Sequence, residues 1–177
     1  MANLLFQEVS PLRVGRSILA DYRFQRPANA TQYTAGDVIS DNATNSTIPV
    51  FVAARFPGGG GIVHSVALID SADEATNLSA DLFLFNRFPN TVAADNAAYA
   101  PTDTDLESAI GAISLDGTSA GNFKAGNANA IIQTTSVGLV FQCSSDSQLL
   151  YGVLVARNAY TPISIEVFKI RLGILQD

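Results

Sequence analysis

The sequence predicts an all-β protein, a single-domain β-sandwich of jelly-roll type with an extended N-terminal arm, and three observations carry that expectation. Short runs rich in β-branched and aromatic residues recur along the chain, divided by Gly, Asn, Asp, Ser and Pro. Only one stretch carries a helix-start signal. The 177 residues suit one domain large enough to bury a core.

The first predicted strand runs from Arg16 to Phe24 and alternates Ile18, Ala20, Tyr22 and Phe24 on one face with Leu19, Asp21 and Arg23 on the other. YTAGDVIS, Tyr33 to Ser40, reads as the next strand. Ile48 to Phe56, Gly61 to Asp70 and Ala80 to Phe88 are apolar on both faces for most of their length, the pattern of central strands. Polar loops separate them at 41–47, 71–77 and 89–105. The last loop is long for a compact domain, so it is expected to lie against a neighbouring chain or to carry function. At its end TDTDLESAI offers Thr or Asp as N-cap of one short helical turn. AISLD, NAIIQTT, VGLVFQC, LLYGVLVARN and ISIEVFKIRLGIL read as further strands. The final run changes parity, with Ile163, Ile165 and Val167 on one face and Phe168, Ile170, Leu172 and Ile174 on the other. That predicts either a bulge near Val167–Phe168 or a strand covered on both sides.

Composition narrows the class of function. Apolar residues make up 47% of the chain and charged residues 15%, with a mean hydropathy of +0.22, so part of the apolar surface is expected to end in a subunit interface. No run reaches the length of a membrane helix, and MANLLFQEVS lacks the basic and apolar regions of a signal peptide. The single Cys143 excludes an intrachain disulfide and suits a reducing site of synthesis. The net charge of −6 is uneven: residues 1–30 carry +2, with Arg13, Arg16, Arg23 and Arg26, and the remainder carries −8. A basic front on an acidic body fits an arm docking on an acidic protein surface better than nucleic-acid binding, because the body would repel phosphates.

Chemistry-bearing motifs are scarce. The four glycines Gly58, Gly59, Gly60 and Gly61 in FPGGGGIVHSVALID invite a phosphate-loop reading, but no Lys follows and the next residues form a strand, not a helix. They are expected at a turn, a loop tip or a close backbone contact near a subunit axis. His64, the only histidine, is read as a hydrogen-bonded structural residue. Asp103 and Asp105 could contribute to a hard-cation site, yet N-capping of LESAI explains them more simply. Sequons at Asn29, Asn42, Asn45 and Asn77 read as polar turn composition. No catalytic, cofactor or metal residues are assigned, and no enzyme is expected.

One ordered series of motifs remains: YTAGDVI (33–39), GGGGIVHSVALID (58–70), DLFLF (81–85), DNAAYAPTDTDLESAIGAI (95–113), VGLVFQC (137–143) and LYGVLVARNAYTP (150–162). In this order the chain resembles small virion proteins of tailed double-stranded DNA bacteriophages, of the capsid decoration or cement type. The resemblance covers about residues 30–177 and implies a β-sandwich structural protein, homotrimeric, binding the major capsid protein on the outside of the head and bridging its subunits. It implies synthesis in the host cytoplasm, no cofactor, no membrane and no nucleic-acid partner.

The expected organisation is therefore an arm or first strand at 1–28 that contacts partners and a sandwich domain at 29–177. The expected partner interface is Arg13, Arg16, Arg23, Arg26, Tyr22 and Phe24. The alternative is a jelly-roll module of a phage tail or head fibre that recognises host-surface glycan, against which stands the absence of Trp for stacking on sugars.

Overall fold

The computed structural model describes residues 16–72, 76–125 and 129–177. The described elements are β1 (Arg16–Gln25), β2 (Val50–Val52), β3 (Gly60–Asp70), β4 (Ala80–Phe85), α1 (Asp103–Glu107), β5 (Ala109–Leu115), β6 (Phe123–Lys124), β7 (Ala130–Gln142), β8 (Leu149–Ala156) and β9 (Val167–Gln176). They form two antiparallel sheets, ordered β1-β9-β3-β7-β6 and β2-β8-β4-β5. The predicted all-β, single-domain sandwich is thus observed.

Period-two alternation explains how the sheets meet. In β9, Phe168, Ile170, Leu172 and Ile174 are buried while the residues between them face outward. These side chains meet Leu82, Leu150 and Leu154 from the second sheet in one apolar core. The outer face of the second sheet is covered too. Val38, Ile48, Phe85, Val153 and Val155 form a smaller cluster there, flanked by Ala93 and Tyr99. The long 89–105 loop therefore lies partly against its own sheet, where an adjoining chain or a functional role was expected.

Other expectations are revised. Tyr33–Ser40 forms no strand: its sheet pairing is limited to the isolated bridges Tyr33–Tyr160, Asp37–Ala98 and Val38–Val155, although Tyr33, Val38 and Ile39 are buried. Of Ile48–Phe56 only β2 is paired. NAIIQTT and VGLVFQC belong to one strand, β7, and β6 was not anticipated. The parity change near Val167 needs neither a bulge nor double cover: Ile163 and Ile165 precede the strand, and Ile165 has φ of 57°. A left-handed residue ends extended pairing there, leaving both isoleucines exposed.

The one short helix is capped as its sequence predicts. The side chain of Thr102 accepts from the Asp105 backbone N–H, and the Asp105 side chain closes a capping box.

The glycine run forms a turn followed by a strand start. Gly58 has φ of 73°, and the Gly59 N–H donates to the Phe56 carbonyl at 3.0 Å. A Cβ on Gly61 would collide with the Leu175 carbonyl oxygen of β9 and stand 3.1 Å from Phe141 Cζ. Gly61→Ala is accordingly expected to cost about 1–3 kcal/mol of stability, read from the urea midpoint; an unchanged midpoint would refute this close approach.

Candidate partner interface

β1 is the outer strand of its sheet and pairs with β9 without a register break from Arg16–Gln176 to Gln25–Val167. Its inward side chains Ala20 and Phe24 are buried, and Ile18 and Tyr22 pack on the same core. Phe24 lies 5.8 Å from Phe168 and Tyr22 lies edge-on to Phe51 at 6.4 Å, centroid to centroid. Its outward side chains are Ser17, Leu19, Asp21, Arg23 and Gln25.

On that outer face Asp21 accepts from Arg171 Nε at 2.8 Å and Nη2 at 3.1 Å, and pairs with Lys169 Nζ at 2.6 Å. The Arg171 hydrogen bond leads in drawing the Asp21 carboxyl down to about 2. Arg23, opposite Lys169, forms no ion pair among the described residues. Two cations hold one carboxylate and a third, Arg23, stands opposite Lys169, giving a locally positive face on a chain of net charge −6. Beside it runs an apolar row formed by Leu175, Ile62 and Val140, aligned across β9, β3 and β7. Val140 is 70% exposed, and Leu19 on β1 is 65% exposed. Ser17, Leu19, His64, Gly173 and Leu175 line a shallow recess of about 200 Å³ between them.

His64, read from the sequence as a hydrogen-bonded structural residue, is exposed at a bulge. Register shifts from Val63–Leu139 to Ser65–Thr135, setting three β7 residues, 136–138, against His64 alone. Ser136 and Gly138 accommodate this with φ of 62° and 66°.

The expected interface residues separate into two groups. Arg16 and Arg23 are exposed, and Arg13 lies outside the described residues. Tyr22 is half-buried and Phe24 buried, both packing beneath β1. Arg26 is 2% exposed and works inside the fold, because its Nη2 pairs with Asp95 Oδ2 at 3.0 Å and its Nε donates to the Tyr33 hydroxyl. Nothing in the local sequence marks that partner, which lies 69 positions away.

A second buried polar group closes the same end of the sandwich. The Tyr160 hydroxyl donates to Glu166 Oε1 at 2.5 Å, and the Arg26 N–H donates to the Glu166 carbonyl at 2.8 Å. Burial, then the charge of Asp70, raises the Glu166 carboxyl from 4.5 to about 8, with Arg26 and the Tyr160 bond opposing. The folded chain therefore keeps a proton that the unfolded chain releases above pH 4.5, so stability falls as pH rises from about 4.5 to about 8. Urea unfolding across that window should show a Glu166 contribution of at most about 1.4 kcal/mol per pH unit. The contribution disappears in Glu166→Gln; an identical pH profile in the variant would contradict it.

Of Asp103 and Asp105, the second is taken up by hydrogen bonds within the chain. Asp105 is buried and accepts from the Asn90, Thr91 and Thr102 backbone N–H groups and from both threonine hydroxyls. Its oxygens are therefore occupied by donors. Among the described residues no group of three or more His, Cys, Asp or Glu side chains is placed to hold a metal. Two of the four sequon asparagines serve turns: Asn29 Oδ1 accepts from the Thr31 N–H at 3.1 Å and Asn42 Oδ1 from the Thr44 N–H at 2.8 Å. No described helix is long and apolar enough to cross a membrane.

No protein-family model matches the chain, and no curated protein matches it. Among solved structures, it is similar to a chain of the capsid of Ralstonia phage GP4, with a TM-score of 0.45 and 16% identity over 95% of this chain and 89% of that one. It is also similar to a chain of the acidic stable capsid of Helicobacter pylori bacteriophage KHP30, with a TM-score of 0.34 and 15% identity over 93% of this chain and 94% of that one.

Proposed function

We propose that this chain is a structural protein of a bacteriophage virion that binds the outside of the capsid and stabilises it by bridging capsid subunits. The observation that carries the reading is the ordered series of motifs from Tyr33 to Pro162, which resembles the layout of small phage virion proteins of the decoration type. The β1–β9 face supplies the contact surface, with Arg23, Lys169 and Arg171 for an acidic shell and Leu19 and the apolar row beside them, while Arg16 is exposed at the start of β1 on the other side of the strand.

Deleting residues 1–28 would be a poor test, because β1 contributes Ala20 and Phe24 to the core. Charge reversal is cleaner. Arg16→Glu with Arg23→Glu is expected to leave a folded protein and to reduce binding to undecorated capsids of the encoding phage at least about tenfold, given roughly 0.5–1 kcal/mol per exposed charge contact and the added repulsion. Wild-type occupancy by the double variant would remove this face from the proposal. Absence of the protein from the outer surface of a particle reconstruction would remove the capsid role itself.

A further inference from the structure

The outer edge of β1 is a ten-residue ladder that no strand among the described residues covers. It contains no proline and its pairing to β9 has no bulge, so two common protections of a sheet edge are missing. The charges at Asp21 and Arg23 would normally supply a third, by repelling a second strand. Whether they do so depends on register.

Two copies of β1 related by a two-fold axis perpendicular to the sheet pair antiparallel and keep the same faces together. One residue must then lie opposite its own copy. Asp21 opposite Asp21 or Arg23 opposite Arg23 sets like charges in contact. Ala20 opposite Ala20 puts Asp21 against Leu19. With Tyr22 on the axis, Asp21 lies opposite Arg23 twice, Leu19 opposite Gln25, and Ala20 opposite Phe24. Only this register of the four turns both charges into attractive cross-strand pairs, and it gives Arg23 an anionic partner.

We propose that β1 is a self-association edge: a second copy of this chain pairs with it antiparallel about Tyr22, joining two five-stranded sheets into one continuous sheet. This goes beyond the capsid reading and does not depend on it. The predicted unit is a two-fold dimer, where the resemblance to decoration proteins implies a trimer.

The test uses the full-length chain in sedimentation and native mass measurements, with cysteine cross-linking to fix the register. A concentration-dependent dimer is expected. Arg23→Glu, which sets Glu against Asp21 twice and breaks no described intrachain ion pair, should weaken dimerisation at least about tenfold. Under mild oxidation Tyr22→Cys should form a cross-linked dimer, because directly opposite Cα atoms stand roughly 4.5–5.5 Å apart, within disulfide reach. Ala20→Cys, displaced by about 14 Å from its own copy in this register, should not. The proposal is overturned by a monomer at all concentrations, by a trimer, by a dimer insensitive to Arg23→Glu, or by equal cross-linking at the two positions. Should Tyr22→Cys fail to fold for want of its contact with Phe51, the Arg23→Glu measurement decides alone.

Discussion

Arg26→Met is expected to destabilise the protein by about 3–5 kcal/mol, the cost of stranding a buried carboxylate after its counter-ion is removed. The guanidinium pairs with Asp95 Oδ2 at 3.0 Å, stands 4.7 Å over the Tyr33 ring, and donates to the carbonyls of Asn29 and Ile163 at 3.3 and 3.4 Å. Asp95 is tied from its other oxygen by the Tyr33 hydroxyl at 2.6 Å and the Ser40 N–H at 3.0 Å. The group thus joins the end of β1, the 33–40 segment and the 89–105 loop. Urea denaturation measures the effect. Adding Asp95→Asn to Arg26→Met should recover part of the loss, since the stranded charge is then gone, and the two losses should not add. A single-variant loss below about 1 kcal/mol would show that the pair is solvated.

Asp105→Ala is expected to cost about 3 kcal/mol and to loosen the loop that crosses the outer face of the second sheet. Five donors converge on this carboxylate, the tightest being the Asn90 N–H at 2.6 Å and the Thr91 hydroxyl at 2.6 Å. Bonds to a charged acceptor contribute about 1.5–3 kcal/mol each, yet they share one acceptor and solvent can reach part of the cluster, so the sum is not realised. The same donors, led by the Thr91 hydroxyl, hold the carboxyl well below the usual carboxylate range. Its stabilisation is therefore complete above pH 3.8 and lost only as pH falls further toward the depressed folded value. Limited proteolysis should find new cleavage within 89–105 in the variant; an unchanged digest and midpoint would count against the anchoring role.

What the sequence disclosed follows from how local each signal is. β3, β4 and β8 were legible because their apolar runs are long and contain strong strand formers, and β1 because its two faces alternate. So was α1, whose cap lies within four residues of sequence. YTAGDVIS reads as a strand but gains only isolated bridges, and Gly36 with φ of 96° interrupts it. ISIEV is rich in strand formers, yet a left-handed Ile165 turns it away from pairing. Both failures come from tertiary context overriding local preference. The contact surface was half legible for a related reason. Alternation identified Arg23 as outward, but Arg26 falls one residue beyond β1, where alternation says nothing and a distant aspartate decides.

The β1–β9 pairing has a mechanical consequence. Arg16 stands beside Gln176, so the first residue of one strand and the last of the other lie at the same end of the ladder. Tension pulling Arg16 away from Gln176 would open that ladder like a zipper, breaking its bonds one after another at low force. Load entering across the broad sheet instead is shared by all five strands at once.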